Sequence, residues 1–314
     1  MPNITQLDDG LYLIDLHFQG QPGVIASYLI EDAGERALIE IGPTSTLGTL
    51  LGALQTMDID PDSISKVLVT HVHLDHAGAS GTFMRRFPRS QLFVHEMGAP
   101  HMIDPSRLVA SATRIYGDMM DTLWGAIEPV SVDRMTILVD GDTVTVGAKR
   151  LATLYTPGHA SHHVAFHDPE RDAVFTGDVG AVRLQDIRYV RPATPPPDID
   201  LELWSESLER IMELHPRVLY ITHFGPSTDV EWHLQEARDH LYEWGAIVQR
   251  AMQSGQDREE IVDLIRRHGD GELLQLTDDP SVIVRYELST PYGMSVDGYL
   301  RYYRKRAPAT TVKM

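Results

Sequence analysis

The chain of 314 residues contains no cysteine. Disulfides, thiolate nucleophiles and thiolate metal ligands are therefore excluded, and any bound metal must rely on nitrogen and oxygen donors. No stretch approaches the roughly 20 consecutive apolar residues that cross a bilayer, so no membrane partner is expected. Positive charge is scarce: 27 Lys and Arg stand against 45 Asp and Glu, a net charge of −18. That balance repels a phosphate backbone and disfavours nucleic acid as a partner. The opening stretch Met1–Asp9 lacks the basic head and apolar run of a secretory signal, which predicts a cytoplasmic protein. No GxSxG nucleophile elbow precedes a helix, which removes the serine route to hydrolysis. What the chain does have is histidine, 15 in all, and these are the first place to look for chemistry.

Apolar runs at Leu11–Leu16, Val24–Ile30 and Ala37–Ile41 predict a meander of strands broken by glycine-containing turns. Leu47, Leu50, Leu51 and Leu54 recur at helical spacing, predicting a helix from Thr44 or Ser45 to about Met57. Val67–Thr70 and Gln91–Glu96 read as strands around a helix at Gly81–Phe87, so strands and helices alternate in an α/β pattern. Met97–Val130 predicts one or two helices. Strands follow at Thr136–Val146, Leu151–Tyr155, His163–Phe166, Ala173–Phe175 and Val218–Thr222, with a proline-rich stretch at Pro192–Pro197 and a helix at Asp198–Leu214. Helices at Asp229–Met252, at Asp257–Arg267 ending at Gly269, and at Ser295–Lys305 complete the chain. The expected organisation is a catalytic unit at 1–228 and a helical C-terminal extension at 229–314 packed on it.

The segment Thr70–Gly78 places His71, His73, Asp75 and His76 in a loop where a strand ends. His71 and His73 have strand-like i, i+2 spacing and point one way, whereas Asp75 and His76 lie past the bend and face a second point. One metal for each pair is geometrically reasonable, and four donors leave each metal short of ligands. Further donors stand at other strand exits: His159 after Leu151–Tyr155, Asp178 after Ala173–Phe175 and His223 after Val218–Ile221. In a layered α/β domain such exits converge on one edge, where ligands bind.

This pattern, HxHxDH at His71–His76 followed by His159, Asp178 and His223, resembles the metallo-β-lactamase superfamily, in particular its glyoxalase II-like hydrolases. The resemblance covers roughly residues 10–228 and implies a four-layer αβ/βα sandwich with metals at its open edge. It assigns His71, His73 and His159 to one metal, Asp75, His76 and His223 to the other, and Asp178 as the bridge. Glu40 is a departure, since the family places an Asp there in support of the ligands. A longer carboxylate can still brace the ligand loop. His162 and His163 follow the ligand His159, either lining the site or standing behind it, and His95 and His101 are read as structural.

Two divalent ions, zinc by preference with Fe or Mn as alternatives, hold a bridging water and bring its pKa towards neutrality. The expected protein is a binuclear hydrolase of an ester, thioester or lactone, with a metal-bridged hydroxide as nucleophile and Asp75 and Asp178 as the catalytic carboxylates. A phosphodiesterase and an iron-dependent persulfide dioxygenase are the alternatives. Flavodiiron relatives would need an acidic residue in place of His73, nuclease relatives a Gly in place of Leu74, and a non-enzymatic binder would have lost donors. The expected partner is a small molecule, and self-association into a homo-oligomer is compatible with the sequence. Arg183, Arg188 and Arg191 are candidates for an anionic part of the substrate, weighed against plain solvation. Pocket walls are expected from the Met97–Val130 segment, the Ala181–Pro197 loop and the C-terminal helices, and Met102, Tyr116, Met119, Met120 and Trp124 are candidates for an apolar rim, weighed against core packing.

Overall fold

The computed structural model describes residues 3–184 and 187–306. The end of the expected extension, 307–314, and residues 185–186 of the loop after Asp178 lie outside the described residues.

Two mixed sheets face each other. The first is built of β1 (Ile4–Asp8), β2 (Leu11–Asp15), β3 (Ala26–Asp32), β4 (Glu35–Ile39), β5 (Ile64–Leu68), β6 (Gln91–His95) and β7 (Met135–Leu138) in chain order. Its first four strands are antiparallel, and β4 to β7 run parallel. The second sheet has the order β13-β12-β11-β10-β9-β8, from β8 (Thr143–Val146), β9 (Lys149–Tyr155), β10 (Val164–Asp168), β11 (Ala173–Phe175), β12 (Val218–Ile221) and β13 (Gly225–Ser227).

The inner faces meet through Leu13, Tyr28, Ile39, Leu151, Phe166 and Phe175, all buried. Period-two alternation accounts for this: Val144 and Val146 point in while Thr143 and Thr145 point out. Helices cover both outer faces. Outside the first sheet lie α1 (Leu47–Thr56), α2 (Leu74–Ala77), α3 (Ser80–Arg86), α4 (Ala99–Ile103), α5 (Ser106–Tyr116) and α6 (Met120–Leu123). Outside the second lie α7 (Leu201–Glu213), α8 (Val230–Gln253), α9 (Arg258–Leu276) and α11 (Tyr292–Arg306), with α10 (Pro280–Ser289) against Val182, Leu184, Ile187 and Tyr189. The four-layer αβ/βα sandwich is thus present, and the C-terminal helices form part of its outer layer. Among the described residues no helix is long and apolar enough to cross a membrane.

Three of the expected elements take a different form. Thr136–Val146 is two strands in different sheets, because Gly141 at φ +85° turns the chain from one sheet to the other. Helix α9 continues through Gly269 to Leu276. A Cβ on Gly269 would meet Tyr292 Oη at 2.7 Å, so this glycine permits a close helix crossing instead of ending a helix. The Met97–Val130 segment is three helices joined by short turns, not one or two.

Strand direction assembles the functional edge. β4 and β5 are parallel, so both deliver their carboxyl ends to one side. β9 and β11 are each antiparallel to β10, and β12 is parallel to β11, so these three also exit together. The sheets are stitched at that edge by backbone hydrogen bonds from Ala26 N to Thr222 O (2.8 Å) and from Val164 N to Thr70 O (2.8 Å).

Candidate metal centre

All seven donors named from the sequence meet at this edge. His71 and His73 leave β5, and the single turn α2, following at once, carries Asp75 and His76. His73 Nδ1 lies 2.9 Å from His71 Nε2 and 3.0 Å from His159 Nε2, so three imidazole nitrogens address one point. Asp75, His76 and His223 form a second group in which each donor atom is within 4.8 Å of the others. Asp178 stands between the groups. Its Oδ1 is 3.0 Å from His76 Nε2 and 3.4 Å from His223 Nε2, and its Oδ2 is 3.4 Å from His159 Nε2.

The outward nitrogens of His71, His159 and His223 are each held by a hydrogen bond, which fixes the orientation of these rings. His159 Nδ1 donates to Ala193 O at 2.8 Å and His223 Nδ1 to Val24 O at 2.7 Å. His71 Nδ1 meets Thr70 Oγ1 at 3.0 Å, and that hydroxyl donates to Glu40 Oε1 at 2.5 Å. Glu40 also reaches His76 Nδ1 at 3.2 Å. It therefore braces both ligand groups, the role the sequence left open.

His163 stands behind the site rather than in it. It meets Thr156 Oγ1 at 2.9 Å through Nδ1 and accepts the backbone N–H of Asp178 at 3.1 Å through Nε2. Gly177, at φ +51°, lets that turn close, because a Cβ there would collide with Thr70 and His163. His162 lies parallel to His71 with ring centroids 6.1 Å apart, and His95 stacks on Tyr155 at 4.7 Å.

Burial pushes the His71 imidazole well below its ordinary value and, with the charge of His159, takes His73 down to about 4, so both present free lone pairs at neutral pH. Burial alone would do the same to His76 and His223, but the Asp178 carboxylate reverses it and raises both. Burial pushes Asp75 up, and His76 and His223 more than offset this, leaving it at about 2. His76 Nε2, His223 Nε2 and Asp178 Oδ1 are sealed from solvent, and none has a hydrogen-bond partner. Buried polar atoms without partners are costly. A cation among them would satisfy all three, so the donor set fits a metal centre.

A cavity of about 780 Å³ opens above, with His73, Asp75, His159 and Asp178 at its base. Leu108, Ile115, Tyr116 and Trp124 form one wall, and Pro195–Pro197 with Arg258, Val262 and Arg266 form the other. Of the five apolar candidates only Tyr116 and Trp124 reach this cavity. Met102 is core, and Met119 and Met120 face elsewhere. None of the three candidate arginines lines it. Arg183 and Arg188 lie over the Trp232 ring at 5.6 and 4.0 Å, and Arg191 is buried, donating to Thr290 O at 2.7 Å. Arg114, Arg258 and Arg266 line it instead. Arg114 lies on α5, and Arg258 and Arg266 lie on α9, which meets the cavity only after long-range folding.

The metallo-beta-lactamase superfamily profile matches residues 20–223, the stretch that contains every one of the seven donors. The chain belongs to the metallo-beta-lactamase superfamily. A metallo-beta-lactamase family protein of Thermus thermophilus shares the fold over 96% of this chain and 95% of its own, with a TM-score of 0.71 and 24% identity. An atrochrysone carboxyl ACP thioesterase of Aspergillus fumigatus is 26% identical over 229 residues, 70% of this chain and 58% of the relative. A human acyl-coenzyme A thioesterase is 26% identical over 185 residues, 55% of this chain and 64% of the relative. The matched stretches thus span less than two thirds of these two thioesterases. Like other metallo-beta-lactamase superfamily members, the chain carries His and Asp groups suited to divalent metal ions.

Proposed function

We propose that this protein is a metal-dependent hydrolase of thioesters, with esters and lactones as related substrates. His71, His73 and His159 would hold one divalent ion and Asp75, His76 and His223 a second, with Asp178 standing between the two groups. The observation that carries the reading is the placement of the two Asp178 oxygens, one towards His76 and His223 and the other towards His159. The thioesterase names of two relatives favour a thioester over other acyl compounds. Zinc suits a nitrogen and carboxylate donor set without thiolate, and iron and manganese are compatible with it.

Divalent ions bound here would supply Lewis acidity, lowering the pKa of a water and polarising the carbonyl under attack. The chain's own residues do the rest. Asp75, partly exposed at the cavity base, orients the attacking water, while Asp178 holds the two donor groups in register. Glu40 and Thr70 keep the His71 and His76 rings from turning, so no reorganisation is needed during reaction. Tyr116, Trp124 and the proline wall seat the acyl portion and exclude bulk water.

The purified protein should be assayed against acyl-CoA, acyl-glutathione, aryl ester, lactone and phosphodiester substrates, with oxygen uptake followed on a persulfide. Turnover of a thioester well above the rest is the expected result. Phosphodiester cleavage alone, or oxygen uptake with bound iron and no acyl cleavage, would replace the proposal.

A further inference from the structure

A second convergence of imidazole and carboxylate donors lies in the seam between α8 and α9. His240 and Glu243 stand one turn apart on α8, Glu272 faces them from α9, and one donor atom from each lies within 4.8 Å of the others. His268, one turn before Glu272 on α9, places Nε2 3.3 Å from Glu243 Oε1 and 3.4 Å from Glu272 Oε1. The i, i+3 and i, i+4 spacings on two packed helices bring all four side chains to one seam.

This is more than a group of surface charges. His240 is only 7% exposed, and its Nδ1 donates to Val190 O at 2.6 Å, which directs Nε2 into the cluster. That Nε2 lies 3.6 Å from Glu236 Oε1 and 3.7 Å from Glu272 Oε1, beyond hydrogen-bond reach of either. His268 Nε2 is sealed from solvent and without a hydrogen-bond partner. Glu272 is oriented as well, since its Oε2 accepts from Tyr189 Oη at 2.9 Å and its Oε1 turns towards the two histidines. An imidazole tied to a carbonyl on one side and bare on the other, beside a carboxylate held by its outer oxygen, is the arrangement that orients metal ligands.

We propose that His240, Glu243 and Glu272, with His268 as fourth donor, form a further metal site for a divalent transition ion of the zinc type. Two imidazoles with two carboxylates suit zinc and its neighbours and are unsuited to calcium or magnesium, which take oxygen ligands. The ion would clamp α8 to α9 and to the segment holding Tyr189 and Val190. That segment continues to Ala193, whose carbonyl holds His159.

The test is anomalous diffraction at the zinc edge from crystals of the full chain grown with excess zinc. A peak within about 2.0–2.3 Å of His240 Nε2 is expected, separate from density at Asp178. His240→Ala and Glu272→Gln should each remove that peak and leave the density at Asp178 and thioester hydrolysis unchanged. A filled Asp178 centre with no peak between α8 and α9, or a peak of wild-type height in His240→Ala, would overturn the proposal. If those variants fail to fold, Glu243→Gln, at an exposed position, serves. It should retain one zinc ion fewer per chain than the wild type against a chelating dye, and an equal count would overturn the proposal.

Discussion

Glu40 Oε1 stands 3.2 Å from His76 Nδ1, both residues are fully buried, and Glu40 is held at φ +63°, an uncommon backbone conformation for a residue with a side chain. That geometry turns the carboxylate beneath the ligand loop. Glu40→Gln keeps the volume and removes the charge, so zinc affinity should fall by about 10–100-fold, the cost of losing such a support. Competition of wild type and variant with a zinc-binding dye measures it, and equal affinities would show that Glu40 does not tune the centre.

Trp124 is 7% exposed, stacks on Phe18 with ring centroids 5.5 Å apart and also borders the cavity. It serves core and pocket together. Trp124→Ala should lower stability by about 3–5 kcal/mol and raise KM for long-chain or aryl thioesters more than for acetyl thioesters. Denaturant unfolding and paired kinetics check both parts, and equal KM changes for large and small substrates would remove Trp124 from the binding surface.

Arg191 is fully buried, 3.7 Å from the Tyr292 ring centroid and paired with Glu287 at 3.4 Å. It serves the packing of α10 and α11 rather than a substrate anion. Arg191→Ala should cost about 2–5 kcal/mol, as expected when a buried charged partner is deleted, while KM for anionic and neutral thioesters stays in the same ratio. A selective rise in KM for the anionic substrate would restore Arg191 to recognition.

His233 is buried on α8, with Nε2 donating to Gly180 O at 2.7 Å, and burial takes its pKa from 6.5 down to about 4. The unfolded chain therefore binds a proton that the folded one refuses as pH falls from about 6.5 to 4. This contribution to stability is complete above that window and is lost towards acid, by about 3 kcal/mol at its lower end. His233→Gln should flatten that part of the stability curve relative to wild type. Parallel curves would show that His233 is not the group responsible.

The alternation of strands and helices and the clustering of candidate donors were legible in local pattern, whereas the four-layer sandwich followed from the family resemblance. His71 to His76 share one loop, and His159, Asp178 and His223 each follow an apolar strand. β1 was missed because only one edge of it pairs and its burial is slight, and β13 because Gly225, Pro226 and Ser227 have no strand preference. α10 was missed although Asp279 caps it and Pro280 starts it, since neither residue is followed by a clear apolar period. The regions expected to wall the pocket, Met97–Val130, Ala181–Pro197 and the C-terminal helices, all contribute to it, but which side chains reach it is a long-range product: Trp124, Pro196 and Arg266 meet only when the outer helices dock. Arg183, Arg188 and Arg191 show the same limit from the other side, because proximity in sequence to Asp178 did not place them at the cavity.

The central claim is that thioester cleavage depends on metal held by the seven donors, and the most direct measurement is the hydrolysis rate of one protein sample before chelation, after it, and after zinc, iron or manganese is restored. The account predicts that activity disappears with the metal and returns when at least one of these ions is added back. Undiminished hydrolysis by the metal-free protein, or a fully loaded protein that cleaves no thioester, ester or lactone, would contradict it.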